Sequence, residues 1–159
     1  MPKEAVDIPC TGYISGEIDF PAAFGRLSQA TRDLIIQAVV DPLVLAESNP
    51  GSCRFCSVSI VGHSDRYDVP GVTPEQRRAI ELENSQLRAE SAAAWLFTQL
   101  CDHLQNAGLT QPADWASAQT ITIFIIACGS ADLIHLIPAN EAQRRENRRV
   151  HFMISSFEP

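Results

Sequence analysis

The sequence predicts an α+β domain with the order β-α-β-α-β-β, in which two helices cover one face of a mixed sheet. Three observations predict it. Val58 and Ile60 alternate with serines in Ser57-Val58-Ser59-Ile60-Val61, the period of a strand buried on one face. Ala89, Ala93, Leu96, Leu100 and Leu104 recur at helical spacing, which marks an apolar helix stripe. Val150, Phe152 and Ile154 alternate near the end of the chain and form the last strand.

The elements follow in chain order. Residues 1–11 lack periodicity and read as an N-terminal arm, with the domain spanning 12–159. Tyr13-Ile14-Ser15-Gly16-Glu17-Ile18-Asp19-Phe20 mixes apolar and polar residues as a first strand would, and Pro21, which cannot donate to a ladder, ends it. Ser28 caps a helix through Ala30, Leu34, Ile35, Ala38 and Val39, which Asp41-Pro42 ends or kinks. The Val58–Val61 strand stops at Gly62. Thr73-Pro74-Glu75-Gln76 then supplies an N-cap, a proline at the first helical position and a capping-box glutamine. A helix from Pro74 to Asn106 would be unusually long, and the capping residues of Glu83-Asn84-Ser85 predict a break there. Ile121-Thr122-Ile123-Phe124-Ile125-Ile126-Ala127 is β-branched and almost wholly apolar, which predicts a central strand covered on both faces. Residues from Ala131 to Glu146 read as a polar excursion before the last strand.

At 159 residues with a formal net charge of −7, the chain is long enough for one real core and lacks the basic face that nucleic-acid binding needs. No segment is apolar for long enough to span a bilayer, and the first residues lack the apolar core of a secretory signal. Cys10, Cys53, Cys56, Cys101 and Cys128 make an odd set of five. Cys101 and Cys128 fall in helix and strand patterns and read as small buried apolar residues. Cys53-Arg54-Phe55-Cys56 is a C-x-x-C, but a structural zinc needs four ligands and no second such element exists. A disulfide across it fits an exported chain. No nucleophile sits beside a base and no glycine-rich phosphate loop is present, so neither catalysis nor a cofactor is expected.

The chemistry lies in three short motifs. Gly62-His63-Ser64-Asp65 ends the strand, Asn84-Ser85-Gln86-Leu87-Arg88-Ala89 lies on the following helix, and Asn147-Arg148-Arg149-Val150 opens the last strand. Asp65 falls just past a strand's carboxyl end and Arg88 on a helix beside it, so an acid and a base face a common space. Such a pair can grip a zwitterion, each bond being charge-assisted; the bland reading of the same pair is a structural salt bridge.

In this order the motifs resemble the OmpA-like peptidoglycan-binding domain, with its Gly-His-Thr-Asp strand end, its Leu-Ser-x-x-Arg-Ala helix and its Asn-Arg-Arg-Val strand. The resemblance implies the OmpA-C-like two-layer sandwich and non-catalytic binding of the diaminopimelate stem peptide of peptidoglycan, anchoring an envelope component to the wall. It implies a place in the periplasm or at the outer membrane, and a homodimer or an envelope protein as further partner. By resemblance Asp65 takes the ligand's ammonium and Arg88 its carboxylate. Asn147 and Arg148 buttress the cleft, and Asp19 matches an acid after the family's first strand. Ser64 replaces the usual threonine and keeps its hydroxyl; His63 hydrogen-bonds a neighbouring loop. Arg149 points to the opposite face from Arg148, and Arg144 and Arg145 read as a solvated face. Glu81 stands where the family commonly has a cleft asparagine, and a carboxylate there attracts an amine while repelling a carboxylate. The loop between Asp65 and Arg88 is also longer than the family's. Those two departures, with the missing signal, favour the other reading: an interaction module that has kept the fold and lost wall binding.

Overall fold

The computed structural model describes residues 2–158. Strands β1 (Pro2–Cys10), β2 (Phe55–Gly62), β3 (Ile121–Ala127) and β4 (Val150–Phe157) form one sheet in the order β1-β4-β2-β3. β4 runs antiparallel to both β1 and β2, while β2 and β3 are parallel. The sheet is therefore mixed, as the sequence predicts. Helices α1 (Phe20–Gly25), α2 (Gln29–Ile35), α3 (Asp41–Ser48) and α4 (Pro74–Asn106) form the second layer, and a short α5 (Glu141–Asn147) precedes β4. Val58 and Ile60 of β2, Phe152 and Ile154 of β4, and Ala89, Leu96, Leu100 and Leu104 of α4 are buried together between the layers. The rings of Phe20 and Trp95 lie 4.9 Å apart, and Phe20 meets Phe152 edge-on at 5.5 Å, which docks α1 onto both layers.

The start of the chain differs from the sequence reading. Residues 2–10, read as an arm, are an edge strand paired to β4, whose prolines an edge tolerates. The stretch Tyr13 to Phe20, read as a strand, forms none: it turns at Ser15-Gly16, and Phe20 already opens α1. Gly12 and Gly16 have φ of +120° and +72°, which breaks the extended path. Glu17 closes the turn on itself: its carboxylate accepts from the Ile14 N–H at 3.2 Å, and its own N–H donates to the Ile14 carbonyl.

Ser28 caps α2 as read, accepting from the Thr31 N–H. Of the two outcomes read for Asp41-Pro42, the structure shows the distortion and not the end. A π-helical turn at Ile36–Val40, in which the Asp41 N–H reaches back to the Ile36 carbonyl, widens the ladder just before the proline and lets the chain continue as α3. Glu47 on α3 then accepts from the Gln119 and Thr120 N–H groups at 3.0 Å each and from the Thr120 hydroxyl at 2.6 Å. That buried carboxylate ties the helical layer to the start of β3.

α4 is continuous over 33 residues, with the Thr73–Gln76 capping box formed and no break at Glu83-Asn84-Ser85. Ser85 does not cap. Its hydroxyl donates to the Leu82 carbonyl at 2.8 Å and accepts from the Gly129 N–H at 2.9 Å, so its bonding capacity is engaged without opening the helix. β3 is an edge strand rather than a central one, with Phe124, Ile125 and Ile126 exposed. The excursion from Ala131 to Glu146 ends in α5, capped by Asn140, whose side chain accepts from the Gln143 N–H. All five thiols are free: Cys10 and Cys56 are buried, Cys101 and Cys128 only half-buried, and Cys53 exposed.

Gly62 is where strand and helix meet most closely. A Cβ there would lie 1.9 Å from the Ser85 carbonyl oxygen, closer than any side chain permits. Next to it, His63 is 2% exposed and neither ring nitrogen has a partner among the described residues; the loop hydrogen bond expected of it is not made there. Its ring lies 5.1 Å from that of His151, beside Arg149. Burial, with the positive charge of Arg149 next, pushes the imidazole from 6.5 down to about 4.

Gly62→Ala lowers unfolding free energy in urea by about 3 kcal/mol or prevents folding, whereas Gly25→Ala, which meets nothing within 4 Å, changes it by less than about 1 kcal/mol. Because the folded pKa of His63 lies below its unfolded value, its neutral form favours the fold. Stability is complete above pH 6.5 and declines as pH falls towards 4. Between neutrality and pH ~5 the wild type loses roughly 2 kcal/mol, and His63→Phe shows a flatter profile; a flat wild-type profile over that interval contradicts the assignment.

Candidate ligand-binding cleft

The carboxyl end of β2, the turn before α1, the middle of α4 and α5 enclose a cleft of about 340 Å³. Four arginines, Arg66, Arg88, Arg144 and Arg148, and three acids, Asp65, Asp68 and Glu141, line it. Such a lining suits a ligand that carries both charges with carboxylate in excess.

Arg88 forms the floor. It is 1% exposed and its guanidinium lies 5.0 Å from the centre of the Tyr13 ring. Nε donates to the Glu17 carbonyl at 2.8 Å and Nη1 to the His63 carbonyl at 3.0 Å. Nη2 has no acceptor among the described residues, which leaves a donor at the cleft. Burial lowers the group to about 10, so it stays cationic at neutral pH.

Asp65 stands on the wall. Its side chain is 9% exposed; Oδ2 accepts from Arg144 Nη1 at 2.7 Å and Oδ1 from Asn147 Nδ2 at 3.0 Å. A carboxylate with two such donors keeps lone pairs for a third. Asn147 is fully buried and joins three segments, since its amide also donates to the His135 carbonyl at 2.9 Å and accepts from the His135 N–H at 2.9 Å. It positions Asp65 without lining the cleft. Arg148 does line it, paired to Glu141. Two buried polar atoms of the lining, Ser64 Oγ and Arg148 Nε, have no partner among the described residues.

The other expected residues lie elsewhere. Asp19 is the N-cap of α1, accepting from the Ala22 N–H at 3.2 Å, and is absent from the lining. Glu81 is 3% exposed and clamps two loops, accepting from the Tyr67 N–H at 2.8 Å and from the Ser130 hydroxyl. Its charge is engaged by the fold rather than presented to the cleft. Arg149 points away from the cleft, as strand alternation requires, and bonds Asp132 at 3.0 Å on the opposite face.

Sequence reasoning missed Arg144 and Asn84. Arg144, read as solvated, pairs with Asp65; nothing local signals this, because the partners are 79 residues apart. Asn84 lines the cleft, and its place four residues before Arg88 on one helix face is the signal that could have found it.

The sequence matches no family model and no curated protein. Solved structures similar to it include the cell wall anchor of the T6SS from Pseudomonas aeruginosa, at 16% identity and a TM-score of 0.46 over 96% of this chain and 82% of that one. The peptidoglycan-associated lipoprotein from Burkholderia pseudomallei is similar at 14% identity and a TM-score of 0.47, over 92% and 89% of the two chains. The OmpA-like domain of FopA1 from Francisella tularensis is similar at 14% identity and a TM-score of 0.41, over 97% and 73%.

Proposed function

We propose that the cleft holds the free end of a diaminopimelate side chain, and that the chain is a non-catalytic, wall-binding module of the OmpA-like type working in the cell envelope. The observation that carries this reading is the pairing, in one cleft, of a buried arginine with an unused donor and an aspartate held in place by Arg144 and Asn147. Diaminopimelate ends in an amine and a carboxylate on one carbon. Asp65 accepts from the ammonium and Arg88 donates to the carboxylate, while Arg66 and Arg148 strengthen the pull on further carboxylates of the stem peptide. In this reading the module anchors an envelope component to the wall; no helix among the described residues is long and apolar enough to cross a membrane.

The occupied state of Asp65 favours a second reading. With both oxygens already bonded inside the protein, the pair can serve the fold alone and the module can bind an envelope protein instead.

Sedimentation with insoluble peptidoglycan separates the two. The chain sediments with walls crosslinked through diaminopimelate and not with lysine-type walls, which lack the terminal carboxylate. Asp65→Asn keeps the side chain's size without its charge and Arg88→Lys keeps the charge without the guanidinium fork, and after a check of folding each weakens sedimentation at least about tenfold, the loss expected from one charge-assisted bond. A folded wild type that stays in the supernatant removes the wall-binding reading and leaves the interaction module.

A further inference from the structure

The sheet has two edges, and they are built differently. β1 carries Pro2 and Pro9, the ionisable Asp7, and an irregular register between Pro2 and Glu4. These are the devices by which proteins prevent strands from adding to an edge. β3 has none of them. Ile121–Ala127 contains no proline and no charge and pairs regularly with β2 along its length. It also exposes apolar side chains, Phe124 by 51%, Ile125 by 41% and Ile126 by 43%.

The backbone register shows which groups are open. The Thr120 carbonyl accepts from the Cys56 N–H, and the Cys128 N–H donates to the Gly62 carbonyl. In a parallel ladder the N–H and C=O of one residue point to the same side, so the even-numbered residues of β3 face β2. Ile121, Ile123, Ile125 and Ala127 therefore present their N–H and C=O groups to the outside. Among the described residues no strand takes them.

From this we infer that β3 is a self-association edge, on which a second copy of this chain adds its own β3 antiparallel about a two-fold axis through Phe124. The charge pattern selects that occupant. A strand with ionisable groups would bring them against an uncharged apolar rim, and β3 is itself the uncharged seven-residue strand with an open edge. With the axis at Phe124, Ile123 pairs with Ile125 and Ile121 with Ala127, so every open N–H and C=O on both strands finds a partner. Phe124 faces its symmetry mate in a non-hydrogen-bonded pair, where side chains come closest and aromatic pairs are favoured. Thr122 lies opposite Ile126 on the same outer face. An interface of one strand pair with its flanking side chains lies near the lower limit of about 1,000 Å² for a specific contact, so the dimer forms reversibly with concentration.

The test is sedimentation equilibrium of the full chain across a dilution series. The wild type shifts from monomer to dimer as concentration rises. Phe124→Lys places a charge on the axis from an exposed position and abolishes the dimer. Ile125→Pro removes a donor that faces outward, leaves the β2 ladder donors in place, and abolishes it too. Met153→Lys, on the exposed outer face of β4, leaves it intact. Circular dichroism confirms that each variant is folded. In a Cys53→Ser background, Phe124→Cys gives an oxidised covalent dimer, which reads the register directly. A wild type that stays monomeric throughout overturns the inference, as does a dimer that survives Phe124→Lys. The outcome is independent of wall binding, since Asp65 and Arg88 are not on this edge.

Discussion

The contact between Gly62 and the Ser85 carbonyl is the constraint on which the arrangement around the cleft depends. A strand end and a helix backbone can approach so closely only where no Cβ intervenes. That approach carries the Ser85 hydroxyl to the Gly129 N–H and, one turn further along α4, Arg88 to the His63 carbonyl. The same guanidinium reaches the Glu17 carbonyl. Segments from the beginning, middle and end of the chain are gathered on one helix face. Hydrogen bonds to a charged donor contribute roughly 1.5–3 kcal/mol each, and the carbonyls they satisfy would otherwise be left unpaired.

The cleft inherits its electrostatics from that arrangement. A buried arginine whose acceptors are backbone carbonyls keeps its positive charge uncompensated, and its positive end faces the space that Asp65 borders. Asp65 is oriented in turn by Arg144 and Asn147, so both charges are fixed before any ligand arrives. In the proposed binding mode little side-chain freedom is lost on association, which is how preorganisation favours affinity.

β3 is secured at its two ends and bare along its middle. Glu47 holds the residues before it, and the Gly62 carbonyl and Ser85 hydroxyl hold Cys128 and Gly129 after it. Anchored in this way, the strand needs no outer neighbour to keep its place, and its apolar rim stays exposed.

The sequence marks β2 and β4 through their alternation and the start of α4 through its capping box, but its capping residues at Glu83-Asn84-Ser85 signal a break that the fold does not make. The sequence also placed Asp65 and Arg88 on facing elements. These features arise within a few residues of one another, where burial period and capping act. Tertiary structure alone decided that residues 2–10 are a strand, since two prolines and weak alternation conceal it and only pairing with β4 defines it. Pairing likewise decided that the most apolar strand lies at an edge, because an apolar run is silent about its neighbours. Contacts across the fold assigned Glu81 to a loop clamp and Arg144 to Asp65, whereas Asp19 caps α1 through a contact only three residues away. Most partners of the clamp and cleft residues lie far along the chain, 79 residues apart for Asp65 and Arg144. Their meeting is set by how the layers close, which no local pattern records.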